Sequence, residues 1–148
     1  MTETWSVVML ISAGLFAAGV VPIAWERAPA WRAADDARFR VEFAHTLKQM
    51  DRLQPALLLV CLISSVAFAV SANGTARTLA GLAASCLVAV LIGSGARLVP
   101  IQRRLLDARS GLTAPEVERL RTRWLGGHLI RTVAVLVAFA LLVVAAVV

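Results

Sequence analysis

A chain of 148 residues that is 59% hydrophobic and 16% charged, with a mean hydropathy of +0.80, has too little polar surface to cover a soluble fold of its size. Its formal net charge of +6 and pI near 11.2 invite a nucleic-acid reading. That reading is excluded, because the basic residues gather in two loops, no aromatic residues interleave with them in an RNA-binding pattern, and no zinc-finger spacing occurs.

The first apolar run, Trp5–Trp25, has the roughly 20 residues that a bilayer core demands. Its flank carries Glu3 and no Lys or Arg, so it lacks the basic region of a signal peptide and is predicted to be a span. Gly14 with Ala18 offers a small-residue packing seam. Pro22 removes a backbone hydrogen bond near the end of the span and is expected to kink it.

The loop Glu26–Arg52 follows, with Arg27, Arg32, Arg38, Arg40, Lys48 and Arg52. From about Ala33 it has helical periodicity: Phe39, Phe43, Leu47 and Met50 form an apolar stripe. Arg38, Glu42, His45, Gln49 and Arg52 share another face. Such a helix either lies on the membrane surface or covers the mouth of the bundle.

Spans two and three, Leu53–Ala72 and Thr78–Val99, are joined through Asn73-Gly74, a turn signal that predicts a tight antiparallel hairpin. Ala89 and Gly93 repeat the small-residue spacing in span three. Cys61 and Cys86 fall in these runs outside any CxxC, as inert apolar thiols do.

The second long loop, Pro100–Arg123, carries Arg103, Arg104, Arg109, Arg119, Arg121 and Arg123. Within it, Thr113 three residues before Glu116, with Pro115 between them, is a capping box. It predicts a helix that runs unbroken into span four, Trp124–Val148. Twelve basic residues in the two long loops stand against Arg77 in the short turn. The bias predicts cytoplasmic long loops and both termini outside, in a bacterial-type inner (plasma) membrane. The expected fold is all-α: a single-domain (1–148) integral membrane four-helix bundle, with an additional amphipathic cytoplasmic helix between spans one and two. The bilayer is its surrounding partner, and self-association into a homo-oligomer is left open.

Candidate chemistry gathers at the loop end. Trp124, His128 and Arg131 share one face of span four. Arg131 either turns inward to a partner or snorkels to lipid phosphates, and the adjacent His128 favours a site. Arg97, near the end of span three, is a weaker case of the same kind. Glu26 is an acid placed to pair with either Arg, and His45 comes from the amphipathic helix. No cofactor is indicated. A metal held by His45, His128 and either Glu26 or Asp51 is an alternative by ligand type, but no HxxxH or ExxH spacing supports it. No acidic residue lies in the middle of a span, which argues against a proton-coupled transporter. Walker, GxSxG and dinucleotide motifs are all missing.

Residues along the chain also carry a family likeness. They are Gly14-Leu15-Phe16-Ala17-Ala18-Gly19-Val20 with Pro22, then Phe43, Gln49 and Gln54-Pro55, then Val99-Pro100-Ile101-Gln102 with Leu105, and finally Trp124, His128 and Arg131-Thr132. In these the chain resembles the anthrone oxygenases, small four-helix membrane proteins. It departs from them at Gln102 and Asp51, where the family commonly has Asn.

The resemblance implies a monooxygenase that converts an apolar, anthrone-like polyphenol to a quinone with molecular oxygen and without a cofactor. On that reading His128 or His45 removes the substrate proton and Arg131 stabilises the oxyanion. Trp124, Gln102, Glu26 and Gln49 would contact the substrate. The competing expectation is a non-catalytic bundle that binds lipid or a partner and uses its charged rim only as an anchor.

Overall fold

A computed structural model describes residues 2–50 and 53–148, and all of its regular structure there is helical. In chain order it has α1 (Thr2–Pro22), a π-helical turn (Ile23–Arg27), α2 (Ala28–Ala33) and α3 (Asp36–Met50). Then come α4 (Leu53–Ser71), α5 (Gly74–Gly93), a second π-helical turn (Ser94–Leu98), α6 (Val99–Leu106) and α7 (Ala114–Val147).

Four stretches are long and apolar enough to cross a membrane: Thr2–Ala33, Leu53–Ser71, Gly74–Leu106 and Ala114–Val147. At about 1.5 Å per residue, the 19-residue α4 spans roughly 28 Å and matches a hydrocarbon core, whereas the other three are far longer. Only Ala72 and Asn73 separate α4 from α5, with Gly74 at φ 56°, a conformation that favours glycine. This is the predicted hairpin. Because it holds one end of the bundle short, the surplus length of the other helices projects at the opposite end, where the two long loops lie. The outer surface is apolar, with Ile11, Ile63, Ile92 and Ile130 each more than half exposed. Such a surface belongs in lipid.

Inside the bundle, Met9, Phe16, Leu58, Phe68, Leu87 and Leu142 form one core. Buried serines there return their hydroxyls to their own helix, as Ser12 does to the Val8 carbonyl (2.7 Å) and Ser64 to that of Val60 (2.7 Å). The expected small-residue seams are only partly used. Gly14 approaches the Phe139 ring, but Ala18 and Ala89 face outward. The close approaches fall instead at Gly19 against Gln54 and at Gly127 against Leu98.

A second core caps the loop end. The stripe Phe39, Phe43 and Leu47 of α3 is buried, so this helix covers the mouth of the bundle. Phe43 meets Trp124 edge-on at 4.8 Å, and Trp31 joins both, at 5.4 Å from Phe43 and 6.1 Å from Trp124. Arg121, buried on α7, ties the first loop down. It donates to the carbonyls of Trp31 (3.1 Å) and Ala34 (2.8 Å), pairs with Glu118, and lies 5.2 Å over the Phe39 ring.

α7 starts as the capping box requires, with the Glu116 carboxylate accepting from the Thr113 backbone N–H (2.9 Å) and hydroxyl (2.8 Å). Each π-helical turn ends two residues before a proline, Pro29 or Pro100. A proline ring clashes with the carbonyl four residues earlier, and a widened turn just upstream accommodates it.

Candidate functional site

Between the bundle core and the aromatic cap lies a cavity of about 430 Å³. Its walls come from both π-helical turns, through Ile23 on one side and Ser94, Gly95 and Leu98 on the other. Leu47 and Met50 of α3 form its cover, Phe16 and Leu58 its deep side, and Gln102 and Arg103 of α6 its rim. α7 contributes Trp124 and Arg131, one helix face apart by seven residues.

The polar atoms of this cavity are unusual. Seven buried side-chain nitrogen or oxygen atoms among the described residues have no hydrogen-bond partner, and five of them lie on cavity-lining residues. These are both amide atoms of Gln54, the Ser94 hydroxyl, the Trp124 indole nitrogen and Arg131 Nε. A buried polar atom left unpaired is destabilising, so these atoms, concentrated on one apolar cavity, give it hydrogen-bonding groups that a ligand or water can satisfy. Gln54 reaches this position because Gly19 has no side chain: a Cβ there would fall 1.7 Å from its amide nitrogen.

His128 sits directly behind this wall, 1% exposed and stacked on Trp124 with ring centroids 4.9 Å apart. Its Nδ1 lies 3.0 Å from Arg131 Nη2, and its Nε2 lies 3.1 Å from the Val20 carbonyl oxygen. A guanidinium only donates, so Nδ1 must be the acceptor, and a neutral ring then carries its proton on Nε2 and donates it to Val20. The imidazole therefore aims the guanidinium at the cavity, and its own lone pair is covered while it does so.

Of the residues singled out from the sequence, Trp124, Gln102 and Arg131 border the cavity and His128 supports it. His45, Gln49 and Glu26 are not brought to it. His45 and Gln49 bond to each other (3.1 Å) on the exposed side of α3, because the apolar stripe of that helix is the side seated on the bundle. Glu26 is exposed on the first π-helical turn and makes no ion pair with a described Arg. No three His, Cys, Asp or Glu side chains come together among the described residues. The metal set of His45, His128 and Glu26 is thus not assembled, and Asp51 lies outside the described residues.

Sequence reasoning missed Ser94 and the role of Gln54. Nothing in the pattern around Ser94 distinguishes it from the other span serines. Gln54, however, is a lone amide in the first turn of an apolar span, and that was a usable signal.

The family model for anthrone oxygenase matches residues 43–141, well over half of the chain. The chain belongs to the anthrone oxygenase family. Comparisons with curated proteins and with solved structures give no match. The family match begins at Phe43 and so covers α4 to α7 with Gln54, Ser94, Gln102, Trp124, His128 and Arg131, while α1 and its Gly19 precede it. Most of the cavity is therefore built from the part of the chain that the anthrone oxygenase model describes.

Proposed function

We propose that this member of the anthrone oxygenase family is a membrane oxygenase. It would oxidise an apolar aromatic polyphenol, anthrone-like in shape, with molecular oxygen inside the 430 Å³ cavity. The observation that carries this reading is the set of unpartnered buried polar atoms on an otherwise apolar cavity of ligand size. Flat apolar rings would pack against Phe16, Leu47 and Leu58, while ring oxygens would take hydrogen bonds from Gln54, Ser94, Trp124 and Arg131.

The chemistry balances without a cofactor. A ring methylene loses one proton, and the resulting oxyanion is held by the Arg131 guanidinium in a water-poor site. Arg131 first turns to the neutral substrate oxygen and so uncovers Nδ1 of His128, which takes the methylene proton as the oxyanion forms. The carbanion form of the substrate gives one electron to oxygen, and the substrate radical and superoxide combine into a carbon–oxygen bond. The second methylene hydrogen and the distal oxygen then leave as water with the returned proton. The net change is one CH2 and one O2 to one C=O and one H2O.

The same reading has the two arginine-rich loops on the cytoplasmic face of a plasma membrane and both termini outside. A Ser110→Cys variant lacking Cys61 and Cys86 would then be labelled only from the cytoplasmic side. Oxygen uptake and quinone formation by the purified protein test the activity directly. Turnover above the spontaneous rate is expected, with loss in Arg131→Leu. Equal rates with and without protein would leave the non-catalytic bundle as the better account.

A further inference from the structure

A second cavity of about 190 Å³ opens between α5 and α7, on the other side of Leu98 from the first. Its deeper wall is apolar and made of small side chains, with Ala89 and Gly93 from α5 and Ala134 from α7. Its loop-side end carries Ser94, Arg97 and Arg131. From Ala89 to Arg97 the helix rises roughly 12 Å, so the cations stand at one end of a short apolar groove.

Neither guanidinium has a carboxylate. The ion pairs among the described residues involve Arg38 and Arg121 only. Arg131 donates to the neutral His128 ring, and its Nε has no partner. Arg131 is half-buried beside low-dielectric walls with no counter-charge, and Arg97 stands exposed at the same groove. An anion between them removes the deficit at Arg131 and gains a second guanidinium. Guanidinium forks match phosphate oxygens in geometry.

We infer that this second cavity binds a phospholipid, its phosphate held between Arg97 and Arg131 and the start of an acyl chain in the Ala89–Gly93–Ala134 groove. The groove is the reason for choosing a lipid over free phosphate: it lies at the depth where an acyl chain follows its headgroup, and its outward neighbours, Ile92 and Ile130, face lipid. The second cavity shares Ser94, Leu98 and Arg131 with the first, so a phosphate and a substrate oxyanion would compete for the Arg131 guanidinium. Lipid binding is nevertheless measured without turnover and stands or falls apart from the oxygenase reading.

The test is native mass spectrometry of the whole protein in detergent, titrated separately with dioleoylphosphatidylglycerol, with dioleoylglycerol and with inorganic phosphate. The first is expected to form a one-to-one adduct, and the other two to bind at least about tenfold more weakly, because each lacks one half of the recognised structure. Arg97→Gln should weaken the phosphatidylglycerol adduct about tenfold or more. Arg104→Gln, at an exposed residue of α6 outside both cavities, should leave it unchanged. Ala134→Phe fills the groove without altering charge and should also weaken the adduct, which keeps the test decisive should Arg97→Gln fold poorly. Dioleoylglycerol binding as tightly as the phospholipid would overturn the phosphate clamp. Inorganic phosphate binding as tightly would overturn the lipid. Wild-type affinity in both Arg97→Gln and Ala134→Phe would overturn the site.

Discussion

Replacing Gln54 by Leu should make the empty protein more stable and its ligand complex weaker, a pair of opposite signs that few other substitutions share. Gln54 is 8% exposed, and neither its amide nitrogen nor its amide oxygen has a partner. Each such atom costs about 1–3 kcal/mol in a buried setting. Leucine has nearly the same volume, leaves Gly19 uncrowded and removes both atoms, so no packing is lost to offset the gain. A net stabilisation of about 2–6 kcal/mol follows from the two atoms together, which for a chain of this length corresponds to roughly 2–4 °C of melting temperature per kcal/mol. With an aromatic polyphenol bound, the same change deletes a hydrogen bond worth about 0.5–1.5 kcal/mol, or roughly two- to tenfold in affinity. Thermal unfolding in detergent, with and without ligand, reads both quantities. A lower melting temperature in the empty Gln54→Leu protein, together with unchanged ligand affinity, would show that the amide serves the fold and would sink the reasoning.

Gly19→Ala should keep the fold but turn the Gln54 amide away from its present position, because the new Cβ meets only the flexible end of that side chain. Ligand affinity is expected to fall several-fold while unfolding free energy changes by less than about 1 kcal/mol, and a large unfolding effect would contradict this. Arg121→Ala leaves the Trp31 and Ala34 carbonyls without their side-chain donor and uncovers the Phe39 ring, so about 3 kcal/mol of stability should be lost, with faster proteolysis of the segment 28–50. Arg38, hydrogen-bonded to Glu42 at 2.8 Å, holds the Glu42 carboxyl below the usual carboxylate range. A depressed folded-state value means that the pair contributes above the unfolded carboxylate pKa and is lost as pH falls through the folded one. Glu42→Gln should therefore differ slightly from wild type at neutral pH and match it in acid. A difference that grows in acid would reverse the assigned sign.

Much of the architecture was legible because it follows from solvent and period. Runs of about 20 apolar residues can only be helices in lipid, Asn73-Gly74 can only be a sharp turn between them, and Phe39, Phe43 and Leu47 can only be buried on one side. By spacing the site was legible only along α7, where Trp124, His128 and Arg131 share a face, while Gln102 of α6 entered through the family likeness. His45 is grouped with them by membrane face and Gln49 by the family likeness, yet the stripe that buries Phe43 necessarily turns those two residues outward. Ser94 escaped, and Gln54, visible as a lone amide in an apolar span and in the family likeness, was not assigned to the site, for a different reason. Their significance lies in lacking partners, and a sequence does not display missing hydrogen bonds. Arg121 likewise looks like one more loop arginine until Trp31 and Ala34 are found beneath it.

Oxidation of a polyphenol in the cavity between the bundle core and the aromatic cap is what we propose. Its most direct test is simultaneous measurement of oxygen consumed and quinone formed from an anthrone by the purified protein, beside Arg131→Leu and His128→Ala. One oxygen per quinone is expected, at a rate well above the spontaneous reaction, falling in both variants as the oxyanion partner or the proton acceptor is removed. Identical rates in wild type and both variants would contradict it.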